Sequence, residues 1–245
     1  MATYTTTGIT LKQHALGEYD KILVLFTREH GLKRVVAKGA RRAKSKLGGK
    51  SEPLYKATWF LASGKNMDVA AQCETEHAHR ALRADLDRLL HGMYLAELIE
   101  AFLEEGEAHP ELFDLFAASL LALEVAESPE LVTAWFEVTF LHGLGYELEL
   151  SACVQCGDAL GTEGCGFSGE GGGALCDACY AVSGGMRLHA KGLTLLQRLS
   201  AVELKELLGH TIQPGLLAHG RSALKAALTA RTERPLRSLD LLSRA

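Results

Sequence analysis

At 245 residues, with 47% hydrophobic and 23% charged side chains, the chain can form one large domain or two or three small ones, and it is too apolar to be disordered. No apolar run approaches the roughly 20 residues that cross a bilayer. The opening MATYTTTGIT has no basic stretch ahead of an apolar one, so neither a membrane role nor secretion is expected and the cytoplasm is the expected compartment. The net charge of −4 is unevenly placed. Residues 1–80 carry 14 basic and 7 acidic side chains, a net of +7, and residues 81–150 carry 2 and 15, a net of −13. Residues 151–245 carry 10 and 8. Such separation points to a polyanion-binding module joined to something else.

Residues 1–78 read as short strands. Thr3 to Leu11 alternates loosely and is rich in Thr, and Lys21–Thr27 (KILVLFT) has the continuous apolar character of a buried strand. Leu32–Lys38 follows a tight connection at Glu29–Gly31, and Leu54–Ala62 and Met67–Cys73 flank a turn at 63–66. Five strands in so short a span predict a small barrel or sandwich, and the five-stranded OB-fold has this size. Between the third and fourth strands runs a basic segment: Lys33, Arg34, Lys38, Arg41, Arg42, Lys44, Lys46 and Lys50 make eight of eighteen residues with no acidic one among them. Its glycines and serine predict a flexible loop that neutralises phosphates, with bases free to stack on any exposed ring among Tyr4, Tyr19, Tyr55, Trp59 and Phe60. Phe26 and one of Trp59 and Phe60 are expected in the core.

Beyond residue 78 the apolar period becomes helical. Met93–Leu103, a segment opening at Pro110 and one opening at Ser128-Pro129 form an expected helical bundle with an acidic exterior, Ser128 as cap and Pro129 in the first turn. Residues 189–230 give further helices packing on the earlier ones, and the tail from Thr232 reads as a surface extension. The expected organisation is α+β: an OB-fold barrel over 1–78, a helical domain from 79–149 with 183–245, and an insert at 150–182.

The insert carries Cys153-x-x-Cys156 and Cys176-x-x-Cys179, separated by 19 residues. Two such pairs can complete a tetrahedral thiolate shell for one zinc ion, and a closed four-thiolate shell is structural rather than catalytic. Gly157 suits the positive φ that closes a knuckle, and the glycine-rich loop between the pairs has little core of its own. Cys165, in that loop, is a possible substitute ligand, and Cys73 reads as a small buried residue. No phosphate-binding, dinucleotide-binding, zinc-protease or nucleophile-elbow motif occurs, so neither catalysis nor a small-molecule substrate is expected. His77 and His79 share one face of an extended segment, but with no evident third ligand they read as a polar strand end. The cluster Glu104, Glu105 and Glu107 reads as a solvated helix face.

The stretches Gly8-Ile9 through Leu11, Gly17–Ile22, Phe26-Thr27 with Gly31, Val36–Arg41, and Leu144–Tyr146 leading into Cys153 and Cys156-Gly157 occur in order. With the sequence of modules, they make the chain resemble the RecO family of bacterial recombination mediators. The resemblance implies binding of single- and double-stranded DNA and annealing of complementary strands without ATP. It also implies a complex with RecR that helps RecA displace single-strand-binding protein, on the nucleoid when bound to DNA. It places Lys38 and Arg41 in a basic strand-and-loop region and the four paired cysteines at the zinc. Of the C-terminal residues, Arg187, Lys191, Arg198 and Lys205 are best placed to extend a basic surface. Two other readings remain: an RNA-binding or translation-associated protein built from the same modules, and a zinc-stabilised scaffold whose acidic bundle recruits proteins.

Overall fold

The computed structural model describes residues 2–242. They form two compact units, 2–124 with 236–242 and 125–235.

In the first unit, five strands form a barrel: β1 (Thr3–Leu16), β2 (Asp20–Thr27), β3 (Gly31–Ala37), β4 (Lys56–Ala62) and β5 (Asp68–His77). Their order is β1-β2-β3-β5-β4, the OB-fold arrangement. The length of β1 makes closure possible. Residues Gly8–Leu16 pair with β2 and Thr3–Ile9 with β4, and a register shift between Thr10 and Lys12 bends the strand between its two partners. The other seam is short: β3 and β5 run parallel through Val35–Asp68 and Val36–Val69.

Strand alternation fills the interior. Leu23 and Leu25, Val35 and Ala37, and Ala57, Trp59 and Leu61 meet in one buried cluster. Trp59, not Phe60, is the inward aromatic, and its indole Nε1–H donates to the Gly8 carbonyl at 3.3 Å. β2 is buried on its outer face too, where Phe26 meets Phe113 and Phe116. Burial on both faces is why Ile22–Phe26 is an unbroken apolar run. Phe113 and Phe116 lie on α3 (Pro110–Val125), which follows α1 (Arg80–Ala84) and α2 (Leu86–Phe102). The Asp85 side chain caps α2 by accepting from the Arg88 N–H at 3.1 Å.

In the second unit, α4 (Pro129–Gly143), α6 (Ala190–Ala201), α7 (Leu204–Leu207) and α8 (Pro214–Thr229) pack together, and the Trp135 indole donates to the Val202 carbonyl at 3.0 Å. Between α4 and α6 lie β6 (Gly164–Ser168), β7 (Gly173–Leu175), α5 (Asp177–Ser183) and β8 (Met186–His189), with the strands in the order β7-β6-β8.

Three sequence expectations change. Ser128 precedes α4 but makes no side-chain cap; its Oγ accepts from the Ile212 N–H at 3.4 Å, tying a distant loop to the helix start. The glycine-rich stretch is a sheet rather than a loop. At Gly166 a Cβ would come 2.5 Å from the Tyr180 ring, so glycine is what lets α5 lie on β6. The tail is not a free extension: Leu236 is buried, and the Arg237 and Ser238 N–H groups donate to the Glu97 carboxylate at 3.0 and 2.8 Å, anchoring α9 (Arg237–Leu242) to α2.

Candidate nucleic-acid interface and metal centre

The basic run divides into two classes. Lys33 and Arg34 stand on β3 and are already matched to carboxylates. Lys33 lies 3.3 Å from Asp68 and 5.9 Å from the centre of the Tyr4 ring, and the Tyr4 hydroxyl donates to the same carboxylate at 2.5 Å. Burial alone would raise the Asp68 carboxyl, but hydrogen bonds from Tyr4, the Gly64 N–H and Lys33 hold it below its usual value. Burial, with Asp68 as its neighbour, raises the Tyr4 phenol well above its ordinary value. Arg34 pairs with Glu105 at 2.6 Å.

The loop residues differ. Among the described residues, none of Lys38, Arg41, Arg42, Lys44 and Lys46 is ion-paired. The loop is held through hydrogen bonds with backbone groups that leave its cations out of ion pairs and exposed. Arg41 donates from Nη1 to the Gly17 carbonyl at 2.8 Å, and the Gly39 N–H donates to Asp20 at 2.7 Å. The Arg42 guanidinium lies 4.9 Å from the centre of the Tyr19 ring, which is 45% exposed. Leu47 and Ala40 tuck into the barrel core and fix both limbs of the loop, and a 3₁₀ turn at Gly49–Ser51 ends it. A cleft of about 940 Å³ opens beside it, lined by Lys46, Lys50, Tyr55, Gln72, Glu74 and Arg80 among others. Arg80 was not legible as part of this surface, because β5 has to return to the loop before the two are neighbours. In the second unit, Arg187 and Lys205 are paired with Asp177 and Glu203, whereas Lys191 and Arg198 line a separate cavity of about 600 Å³ with His219.

The four paired cysteines converge: the Sγ atoms of Cys153, Cys156, Cys176 and Cys179 all lie within 4.8 Å of one another. Two short local structures present them. Gly157, at φ +80°, donates its N–H to the Cys153 carbonyl at 2.8 Å and closes the first knuckle. Cys176 caps α5, its Sγ accepting from the Cys179 N–H at 3.5 Å. Backbone pairing of Val154 with Ala174 and of Glu149 with Gly172 and Ala174 straps the first knuckle to β7. A tetrahedral ion with metal–sulfur bonds of about 2.3 Å requires sulfur–sulfur separations of about 3.8 Å; Cys156 and Cys176 stand at 3.7 Å. The donor set therefore fits a metal ion and is compatible with zinc. Hydrogen bonding from the Cys176 backbone, then from those of Cys156 and Gln155, holds the Cys153 thiol below its usual value, whereas the thiols of Cys156 and Cys179, facing the other sulfurs, are held above theirs. Cys165 is outside the cluster. It is fully buried on β6, and burial pushes its thiol up. Cys73 is buried in the barrel core.

His77 and His79, set aside in the sequence for want of a third ligand, have one in the fold. Glu124, near the end of α3, meets His77 and His79, with one ligand atom from each residue within 4.8 Å of the others. Burial first, then the charges of His77, Lys56 and Arg83, push the His79 imidazole down to about 4, so it is neutral at physiological pH. Nothing local in the sequence marks Glu124, which reaches the pair only through the packing of α3 beneath the barrel. Glu104, Glu105 and Glu107 form no metal-ligating group among the described residues. No described helix is long and apolar enough to cross a membrane.

Comparison with known proteins agrees with this architecture. Residues 1–79 match the family described as Recombination protein O N terminal, and residues 83–240 match Recombination protein O C terminal. A protein of Symbiobacterium thermophilum named DNA repair protein RecO is 33% identical over 246 residues, covering 99% of this chain and 97% of that protein. Proteins of the same name from Heliobacterium modesticaldum and Roseiflexus sp. are each 32% identical, covering 99% and 98% of this chain and 90% and 84% of their own lengths. With both family domains matched in order along an OB-fold barrel, helices and a four-cysteine cluster, the chain belongs to the RecO family of DNA repair and recombination proteins.

Proposed function

We propose that the chain is a non-enzymatic recombination mediator that binds single- and double-stranded DNA and anneals complementary strands without ATP. The observation that carries this reading is the set of five unpaired cations, Lys38, Arg41, Arg42, Lys44 and Lys46, on a loop anchored to the barrel over residues 1–78. Unpaired cations exchange their counterions for phosphates, which gives sequence-independent affinity that weakens with salt. Lys33 and Arg34 contribute less, because their carboxylate partners must first be displaced. The Tyr19 ring, backed by Arg42, offers a face on which a base can stack, a contact of roughly 1–3 kcal/mol. The adjoining cleft, with Lys46, Lys50 and Arg80, continues the basic track. Annealing follows from the same chemistry: two strands repel through their phosphates, and a surface that neutralises both lowers that repulsion.

Cys153, Cys156, Cys176 and Cys179 would hold one zinc ion, which supplies cross-linking of the two knuckles and no open coordination position. Within the family reading, the partners are RecR and single-strand-binding protein, the outcome is loading of RecA on single-stranded DNA, and the compartment is the cytoplasm with its nucleoid.

The test is annealing of two complementary oligonucleotides without ATP across a salt series. Fast, salt-suppressed annealing supports the mediator reading. A zinc-loaded, folded protein that anneals nothing overturns it, and a strong preference for structured RNA over single-stranded DNA would favour the RNA-binding alternative.

A further inference from the structure

We propose that His77, His79 and Glu124 form a second metal site, for a divalent first-row transition ion such as zinc(II), where β5 ends against α3. Three observations carry it. His77 Nε2 lies 3.6 Å from one oxygen of the Glu124 carboxylate, and His79 Nδ1 lies 3.7 Å from the other. Ligands bonded at about 2.0–2.1 Å around a tetrahedral ion sit about 3.3–3.4 Å apart, so the three groups need only small adjustments to share one ion. The His79 side chain is 1% exposed, and neither ring nitrogen has a hydrogen-bond partner. Buried polar atoms are nearly always satisfied, and an unmade bond at such a group calls for an explanation, of which a bound ion is one. His79 is also held at φ +43°, and this backbone turn aims the ring beneath His77, with ring centres 4.3 Å apart.

The donor set defines the ligand class. Two imidazoles and one carboxylate suit zinc and its first-row neighbours, whereas magnesium and calcium prefer oxygen donors. Three protein ligands leave one position for water. The half-exposed His77 side chain gives the ion access from solvent. The nearest cations are otherwise engaged: Lys56 pairs with Glu76 at 3.2 Å, and Arg83 donates to the Pro53 carbonyl. Coordination has one structural consequence. With a metal on His77 Nε2, the ring proton resides on Nδ1, so the 3.1 Å hydrogen bond that Nδ1 accepts from the His79 N–H is released on loading. The site is remote in sequence from the four cysteines and chemically unlike them, so the two can be read apart.

The experiment is a cobalt(II) titration of the whole, chelator-stripped protein, followed by absorbance and by metal analysis after desalting. Thiolate ligation gives an intense sulfur-to-cobalt charge-transfer band; imidazole and carboxylate ligation does not. Two equivalents per chain are expected, one with the charge-transfer band and one with only weak d–d absorbance. His77→Gln and Glu124→Gln should each bind one equivalent and keep the full charge-transfer band. A variant with Cys153, Cys156, Cys176 and Cys179 all changed to Ser should lose that band and keep the other equivalent. His77 is the primary variant because its side chain is 42% exposed and its replacement leaves the core intact. A single thiolate-bound equivalent in the wild-type protein overturns the proposal, as does a second equivalent that persists undiminished in both His77→Gln and Glu124→Gln.

Discussion

The barrel and the cysteine insert are both small β structures, but different forces hold them. The barrel closes around Trp59, Leu23, Leu25, Val35 and Leu61, and its strands are long enough to pair on both sides. The insert has strands of three to five residues, one of them the three-residue β7, and the buried core around its cysteines is Cys153, Leu175 and Cys176. At roughly 25 cal/mol per Å² of apolar surface removed from water, the barrel can stand on its side chains. A core made largely of thiols has far less of that burial, and a metal ion held by the four cysteines, as proposed, would take its place. Within one chain, apolar burial and ligand cross-linking are thus alternative answers to the cost of ordering a short sheet.

Breaking each region at its own support should separate them. The largest effect is expected from Cys176→Ser. Structural zinc supplies about 10–16 kcal/mol of apparent binding free energy in small zinc-folded peptides. Amide protection at Cys165–Phe167 should therefore fall at least a thousandfold, the equivalent of roughly 4 kcal/mol, while β2 and β4 keep theirs. Hydrogen exchange reads both regions in one sample. Next comes Trp59→Ala, which leaves a cavity in the barrel and an unpartnered Gly8 carbonyl. A loss of about 3–5 kcal/mol in denaturant unfolding of the barrel is expected, with metal content unchanged.

How far these supports were legible follows from their range. The five strands could be read because their apolar residues alternate or run continuously and their turns carry glycine or a Ser-Gly-Lys-Asn cluster. The four thiols could be read because each pair is local. The insert sheet could not, since Gly164, Gly166 and Gly173 carry no strand pattern; they are glycines because Tyr180, Leu188 and Glu149 approach too closely for a side chain. Ser128 has the form of a cap, yet its hydroxyl serves Ile212, a partner no local pattern reveals. Lys33 and Arg34 looked like their neighbours in the basic run until Asp68 and Glu105 were brought beside them.

That last distinction yields two smaller effects that sharpen the comparison on the barrel itself. Lys44→Gln should reduce the slope of log affinity for single-stranded DNA against log salt by roughly 0.7, with stability unchanged, as measured by fluorescence anisotropy in a salt series. Lys33→Gln should leave that slope nearly intact. The smallest effect is on acid stability. Asp68 has a folded pKa held below its unfolded value of about 3.9. Its contribution is fully present above that value and is lost as pH falls through the lower, folded one. Asp68→Asn should therefore cost about 1 kcal/mol at neutral pH and flatten the acid limb of the stability curve, seen by urea unfolding at stepped pH. An acid limb unchanged in Asp68→Asn would remove this carboxylate from the barrel's support.

On the proposed reading, the outward charges of the loop, rather than the paired charges of β3, handle DNA. The most direct measurement is ATP-free annealing by a variant with Lys38, Arg41, Arg42 and Lys44 all changed to Glu, its fold and zinc content first verified. Annealing abolished at moderate salt, with the Lys33→Gln and Arg34→Gln protein still active, is the predicted result. Wild-type annealing by the folded four-charge variant would contradict it.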